Sequence, residues 1–267
     1  MASDESPRPE SAPLARRLLA EFLGTGLLVA IVVGSGIAAS ELSPGDVGLQ
    51  LLENSLATTL GLAVLIAVFA PLSGAHFNPV VSLADWALHR RGGPGGFQAA
   101  DLAPYVAAQV FGAVGGALLA NAMFGAPAAI SSTDRAAPAA FLAEAVATAG
   151  LVLVIFGLVR AGRTSIIPAA VGAYIGAAYW FTSSTSFANP AVTIGRVFSD
   201  TFAGIAPTSV APFIGAQLLG GLVGVALVSL LFPIGSPKPV PSPVEAARLD
   251  EAASPSAADR PTPVANS

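Results

Sequence analysis

The chain has 267 residues, 54% of them hydrophobic and 10% charged, with a mean hydropathy of +0.71, whereas soluble domains carry about 25% charged residues. Six of its charged side chains lie in Met1–Arg17 and seven in Gly235–Ser267, which leaves 15 for the 217 residues between, so the body of the chain belongs in lipid. A cytosolic enzyme, a nucleic-acid binder and a secreted disulfide scaffold are excluded, the last also by the absence of Cys, while the net charge of −4 is set largely by the two tails.

About 20 apolar residues suffice to cross the hydrocarbon core. The first such run, Leu14–Ser40, follows a short N-terminal tail over residues 1–13 that reads as disordered. Its apolar centre, Leu18–Ala39, is too long for a signal-peptide core, and no A-x-A cleavage site followed by a soluble domain comes after it. The second span is Leu49–Pro71. Asn78–Arg90 is also apolar but too short to cross, since twelve helical residues rise only about 18 Å, and it reads as a half-spanning re-entrant helix. Spans three, four and five follow at Leu102–Phe124, Ala139–Arg160 and Ile166–Ser183. A second short segment, Asn189–Phe202, precedes the sixth span, Ser209–Phe232. The tail from 235 to 267 is rich in Pro, Ala and Ser and reads as disordered.

Both short segments open with Asn-Pro. Asn can cap the free amides of a helix start, and Pro suits the first helical position, which needs no donor. The non-helical backbone before each must be enclosed by protein or line water, because lipid cannot satisfy it. The two loops are therefore candidate parts of one aqueous cavity.

An internal repeat supports this organisation. Leu19-Ala-Glu-Phe-Leu-Gly-Thr25 matches Leu142-Ala-Glu-Ala-Val-Ala-Thr148, Phe77-Asn-Pro-Val-Val-Ser-Leu83 matches Ala188-Asn-Pro-Ala-Val-Thr-Ile194, and Ala103-Pro-Tyr-Val-Ala-Ala-Gln109 matches Ala211-Pro-Phe-Ile-Gly-Ala-Gln217. Each half carries three spans, so the second half enters the membrane from the opposite side, as an inverted repeat. Ten Arg and Lys residues fall on the side of the N-terminus and two, Arg135 and Arg196, on the other. The positive-inside rule then places both termini in the cytosol. Glycines 112, 115 and 116 repeat as 220, 221 and 224 in the third and sixth spans, where small residues let helices pack closely in lipid.

Six spans in two inverted halves, each with a re-entrant Asn-Pro-(Ala/Val) helix, resemble the aquaporin (major intrinsic protein) family over about residues 14–234. The likeness rests on the paired motifs Ser73-Gly-Ala-His-Phe-Asn-Pro-Val80 and Ser186-Phe-Ala-Asn-Pro-Ala191. It implies an all-α membrane channel, in a plasma membrane of a bacterium, whose half-helices meet at the bilayer centre, with one pore in each subunit of a homotetramer and no cofactor, metal or nucleic-acid partner. Asn78, Pro79, Val80, Asn189, Pro190 and Ala191 are then the pore motifs. Asn78 and Asn189 would donate to passing oxygens, and the facing helix ends, each carrying about half a positive charge, would repel cations. The alternative reading is that both Asn residues are only caps. Glu21 and Glu144, a costly pair of carboxylates inside spans, are implied to accept bonds from the re-entrant loops, with a proton relay as the other reading. His76 falls where the family has a loop histidine near the cytoplasmic mouth, either lining the pore or structural.

The family's narrowest point has four positions and is usually marked by an Arg after the second Asn-Pro-Ala. Here Val192 stands there, and Arg196 lies four residues further on, where it cannot be assumed to supply the charge. Counted in register, the other positions are Ser186, Ala177 and Leu60, or Thr58 in place of Leu60 if the preceding loop is not shortened. Such a filter is uncharged, wider and less polar than a water-selective one, with Val80 adding some bulk at the midplane. Family members with Val at this place resemble a bacterial group associated with arsenic resistance. That implies arsenous acid and methylated arsenicals as cargo, with glycerol-like polyols and water. The lack of any thiol agrees with this cargo, since trivalent arsenic bonds to thiolates. Two other classes stand beside the channel. An ion-coupled secondary transporter would need a coupling site, for which only Glu21 and Glu144 are at hand, and an intramembrane hydrolase built on Ser35 and His76 lacks any surrounding signature.

Overall fold

The computed structural model describes residues 12–89 and 97–234. The tails read as disordered, 1–13 and 235–267, lie outside these residues except for Ala12 and Pro13, as does Arg90 at the expected end of the first short helix. Among the described residues there are eight α-helices: α1 Leu14–Leu42, α2 Val47–Ser73, α3 Pro79–His89, α4 Ala99–Met123, α5 Pro138–Arg160, α6 Ile167–Phe181, α7 Pro190–Gly195 and α8 Pro207–Leu231. Six of them, all but α3 and α7, are long and apolar enough to cross a membrane, α6 together with the 3-10 turn Thr164–Ile166 before it. The second short segment is shorter than its sequence suggests. Its α-helix is only six residues long and continues as a 3-10 turn, Arg196–Phe198, with the rest of the stretch to Phe202 non-helical.

Local chemistry explains where these helices begin and end. The Asp46 side chain accepts from Leu49 N at 2.9 Å to cap α2, which stops at Gly74 in the left-handed region (φ 88°). Pro occupies the first turn of α5, α6, α7 and α8, where its missing N–H costs nothing.

The two halves are inverted with respect to one another. At one end of the bundle Arg17 on α1 pairs with Asp101 on α4 at 2.8 Å, and Arg160 at the C-terminus of α5 donates to Phe232 O beyond α8. At the other end Asn121 on α4 donates to Phe198 O, and Arg135, in the loop before α5, donates to Gly204 O and Phe202 O. Thus α1 and α4 run one way while α5 and α8, their counterparts in the repeat, run the other. Helix α3 descends from the middle toward the Arg17 end, and α7 toward the Arg135 end.

Packing follows the same symmetry. Helix α1 lies against α4, and α5 against α8, at backbone contact distance. A Cβ on Gly116 would fall on the Gly26 carbonyl oxygen, and one on Gly112 on Phe22 O; in the other half a Cβ on Gly220 would fall on Ala145 O. Because the obstacle is backbone, no rotamer change relieves it. Gly116→Ala should therefore destabilise the bundle by about 1–3 kcal/mol, whereas Gly115→Ala, with open space around it, should be nearly neutral. Thermal unfolding of the two variants in one detergent checks this pair.

Candidate functional site

Each re-entrant loop is built around one buried carboxylate. Glu21 Oε1 accepts from Ser73 Oγ (2.7 Å) and His76 N (3.0 Å), and its Oε2 from Phe77 N (2.7 Å) and Gln109 Nε2 (2.7 Å). Glu144 repeats the pattern: Oε1 accepts from Ser184 Oγ (2.6 Å) and Phe187 N (2.8 Å), and Oε2 from Ala188 N (2.8 Å) and Gln217 Nε2 (2.7 Å). Both carboxylates have no exposed surface, and four donors apiece are what such burial requires. The loops themselves hold strained backbone. Ala75, Phe77, Thr185, Ser186 and Ala188 all have φ between 47° and 60°, conformations that cost a non-glycine residue about 1–3 kcal/mol unless the surroundings fix them.

The strained turns aim the two Asn-Pro motifs at each other. Asn78 Nδ2 donates to Ala188 O at 2.7 Å, and Asn189 Nδ2 donates to Phe77 O at 2.7 Å. Asn78 Oδ1 accepts from Val80 N, and Asn189 Oδ1 from Ala191 N and Val192 N, so both are also caps. Capping uses the amide oxygens and leaves the amide nitrogens for the cross-loop bonds. A primary amide has two N–H donors; one is spent on the opposite loop, and the residue as a whole lines a cavity.

That cavity has a volume of about 60 Å³, room for a short file of waters. Its wall is mostly aliphatic (Leu62, Ile66, Leu151, Ile155, Val171, Ile175), and its polar groups are Asn78, Asn189, Thr58, Tyr179, Ser186, His76 and Arg196. A second cavity of about 290 Å³ adjoins it toward the Arg17 end, with His76, Asp85 and His89 in its wall. The His76 ring borders both spaces, with Nε2 3.2 Å from Asp85 Oδ2 and Nδ1 3.0 Å from Ser82 Oγ. Burial would raise the Asp85 carboxyl, but hydrogen bonds from His76 and His89 outweigh it and hold the group below the usual carboxylate range. Since α3 ends here, outside the six spans, this charge sits at the mouth rather than in the narrow part.

Several sequence expectations need correction. Leu60 does not line the pore: it is 60% exposed on the outer face of α2, and Thr58, the other candidate, faces the cavity with its Oγ1 3.1 Å from Tyr179 Oη. Ala177 is likewise exposed on α6, while Ile175 and Tyr179 reach the cavity. Both errors are slips of two residues, which turn a helix by about 200° and move a side chain to the opposite face. Val80 adds no bulk to the pore, because its side chain packs in the space left by Gly221 on α8. Pro79, Pro190 and Ala191 are buried behind the motifs and shape the turns without bordering the cavity. Ser186 and Val192 do border it, and the Ser186 Oγ is buried with no protein partner. The wall is not uncharged, however, since Arg196 reaches it. Tyr179, Phe187 and Asp85 went unnoticed in the sequence. A signal for the α2 face was present, since Gln50, Asn54, Thr58 and Leu62 recur every four residues and are all buried.

Residues 9–187 match the model of the family described as major intrinsic protein. The chain is 50% identical over 219 residues to aquaglyceroporin AqpS of Rhizobium meliloti, an alignment covering 82% of this chain and 91% of that protein. It is 30% identical to aquaporin AqpM of Methanothermobacter marburgensis, covering 82% of this chain and 96% of the relative. Among solved structures, the aquaglyceroporin of Plasmodium falciparum superposes with a TM-score of 0.59 at 23% identity, covering 81% of this chain and 96% of that one, a likeness of fold. With two carboxylate-braced half-helices meeting inside six spans, and with these relatives, the chain belongs to the major intrinsic protein family, multi-pass membrane channels for small solutes and not enzymes.

Proposed function

We propose that this channel passes compact, neutral, hydroxyl-bearing solutes, with arsenous acid and methylated arsenicals as the leading cargo and glycerol-like polyols and water beside them. The observation that carries the reading is Val192. A short aliphatic side chain borders the cavity directly after the second Asn-Pro-Ala, on the same cavity that Thr58, Tyr179 and Ser186 line. These four residues form the filter in this reading, replacing the Leu60 and Ala177 of the sequence-based set. Its polar side offers the Ser186 hydroxyl, which has no protein partner, and the amides of Asn78 and Asn189, while the remaining wall is apolar. A neutral triol suits such a surface: each hydroxyl can exchange one water for one wall group, and no ion needs to shed its hydration shell. The relative at 50% identity carries the name aquaglyceroporin, which agrees with a pore that admits solutes larger than water. Glu21 and Glu144 act in this reading as braces, and His76 as a wall group at the junction of the two cavities. The chain would work as a homotetramer in the plasma membrane of a bacterium, with the Arg17 end and both termini in the cytosol.

Stopped-flow light scattering on proteoliposomes challenged in turn with gradients of water, glycerol and arsenous acid tests the assignment. Arsenous acid and glycerol should both enter, with flux proportional to the gradient and indifferent to proton or sodium gradients. Entry of water alone would refute the solute assignment, and collapse of uptake on adding a protonophore would replace the channel by a transporter.

A further inference from the structure

The channel reading leaves a buried cation without a role. Arg196 is 3% exposed and borders the pore cavity, although it lies one turn beyond the position where Val192 stands. Residues four apart share a face of a helix, and the backbone stays helical from Pro190 through the 3-10 turn to Phe198, so both side chains reach the same space. The Arg196 Nε donates to Ala203 O, and the guanidinium carbon lies 3.5 Å from the centroid of the Phe187 ring. Arg135 also lies over that ring, at 5.3 Å, and spends its Nε and one terminal nitrogen on Gly204 O and Phe202 O. Among the described residues no Asp or Glu forms an ion pair with either guanidinium.

A buried charge is ordinarily paired. Here two cations share one aromatic ring and a few backbone carbonyls, and the anion acting on both is the Glu144 carboxylate, already held by four other donors, so two positive charges against one negative leave net positive charge beside the pore. Anchoring the chain alone would not demand it, because the bond to Ala203 O uses only one of the five N–H donors of a guanidinium. The helix ends cannot supply the same field evenly, either. Helix α3 has eleven residues but α7 only six, and the end charge of a helix rests on the aligned peptides behind it.

We propose that Arg196 is the charge filter of this pore, set one helical turn away from Val192, so that cations are repelled while the space at residue 192 stays open to a bulky neutral solute. Size selection and charge selection are thereby carried by different residues. The inference rests on the channel reading and deepens it.

The test uses the full chain reconstituted in bilayers, with glycerol as the neutral probe and guanidinium ion as a compact cation that stays charged at every working pH. Arg196→Gln should raise the ratio of guanidinium current to glycerol flux at least about tenfold, equivalent to lowering the cation barrier by about 1.4 kcal/mol. Arg196→Lys should keep the ratio near that of the parent. Val192→Glu and Val192→Gln provide a second route that leaves Arg196 in place and serves if Arg196→Gln does not assemble. The carboxylate, one turn away, would pair with Arg196 and cancel its field; both side chains add the same bulk and cost the same glycerol flux, so the Glu variant should carry more guanidinium current than its isostere. A folded Arg196→Gln that excludes guanidinium as well as the parent does, or Glu and Gln variants that behave alike, overturns the proposal. A parent protein that passes no glycerol would overturn the solute assignment instead, and leaves a distinct signature because guanidinium exclusion is scored against glycerol.

Discussion

Val192→Arg should close the pore to arsenous acid and glycerol while water still passes. The parent side chain is buried and borders the 60 Å³ cavity that Thr58, Tyr179 and Ser186 also line, so a longer chain at this place extends into the lumen. It would also stand one turn from Arg196, and repulsion between the two cations favours an extended position across the opening. An isolated charge inside a membrane is costly unless hydrated, but this site borders the aqueous space, and the variant should fold. We expect arsenous acid and glycerol permeability to fall at least about tenfold, a barrier increase of about 1.4 kcal/mol or more, with a smaller loss for water. Val192→Met separates bulk from charge. Because the structure already provides a cation at Arg196, size is the property that residue 192 controls, and Met should reproduce much of the loss. A well-folded Val192→Arg channel that conducts arsenous acid like the parent would show that residue 192 does not define the narrow point, and the assignment of cargo would lose its main support.

Much of this architecture is legible in the amino-acid sequence itself, and the reason is duplication. A carboxylate inside a span is costly enough that its recurrence at Glu21 and Glu144, each followed by a later Asn-Pro and a later Gln, marks a shared construction. The structure shows that construction atom for atom: Ser73 and Ser184, Gln109 and Gln217, and the amides of Phe77 and Ala188 occupy matching places around the two carboxylates. What could not be read was helical phase. In a segment that is apolar all round, hydropathy does not separate the lipid face from the pore face, and alignment to a family pattern by a loop of uncertain length slips easily. Leu60 for Thr58 and Ala177 for Tyr179 are both such slips. On α2 the polar stripe Gln50, Asn54, Thr58 would have fixed the phase, because polar groups turn away from lipid. On α6 no polar stripe exists, and the cavity face is revealed only by contact with α2, where a Cβ on Gly176 would fall on the Thr59 hydroxyl oxygen. Arg196 eluded the sequence for another reason. Whether a cation one turn further along reaches a pore or retreats into protein depends on where the α-helix gives way to a tighter turn, and nothing in Thr193-Ile-Gly-Arg196 announces that six residues will be its whole length.

The other large effect should come from Glu144→Gln, a substitution that removes one charge and hardly any volume. The two carboxylate oxygens each accept two donors: Ser184 Oγ and Phe187 N on one, Ala188 N and Gln217 Nε2 on the other. An amide keeps one acceptor oxygen and turns an NH2 group toward the remaining pair, so two buried donors lose their acceptor and face another donor. Each such loss costs about 1–3 kcal/mol, and the strain at Thr185, Ser186 and Ala188 is then no longer held by its surroundings. The loop should relax, Asn189 should leave its position against Phe77 O, and the bundle should lose stability by several kcal/mol together with most of its glycerol flux. Glu21→Gln should behave in the same way through Ser73, His76, Phe77 and Gln109. Glu144→Asp, which retains both oxygens on a shorter stem, should fall between parent and amide. The measurement is thermal unfolding of each variant in detergent beside glycerol flux in proteoliposomes at several pH values. A proton relay predicts a different pattern, with Glu144→Gln fully stable but inactive and the parent flux strongly dependent on pH. A brace predicts that stability and flux fall together and that pH matters little. An amide variant as stable and as conductive as the parent would contradict both.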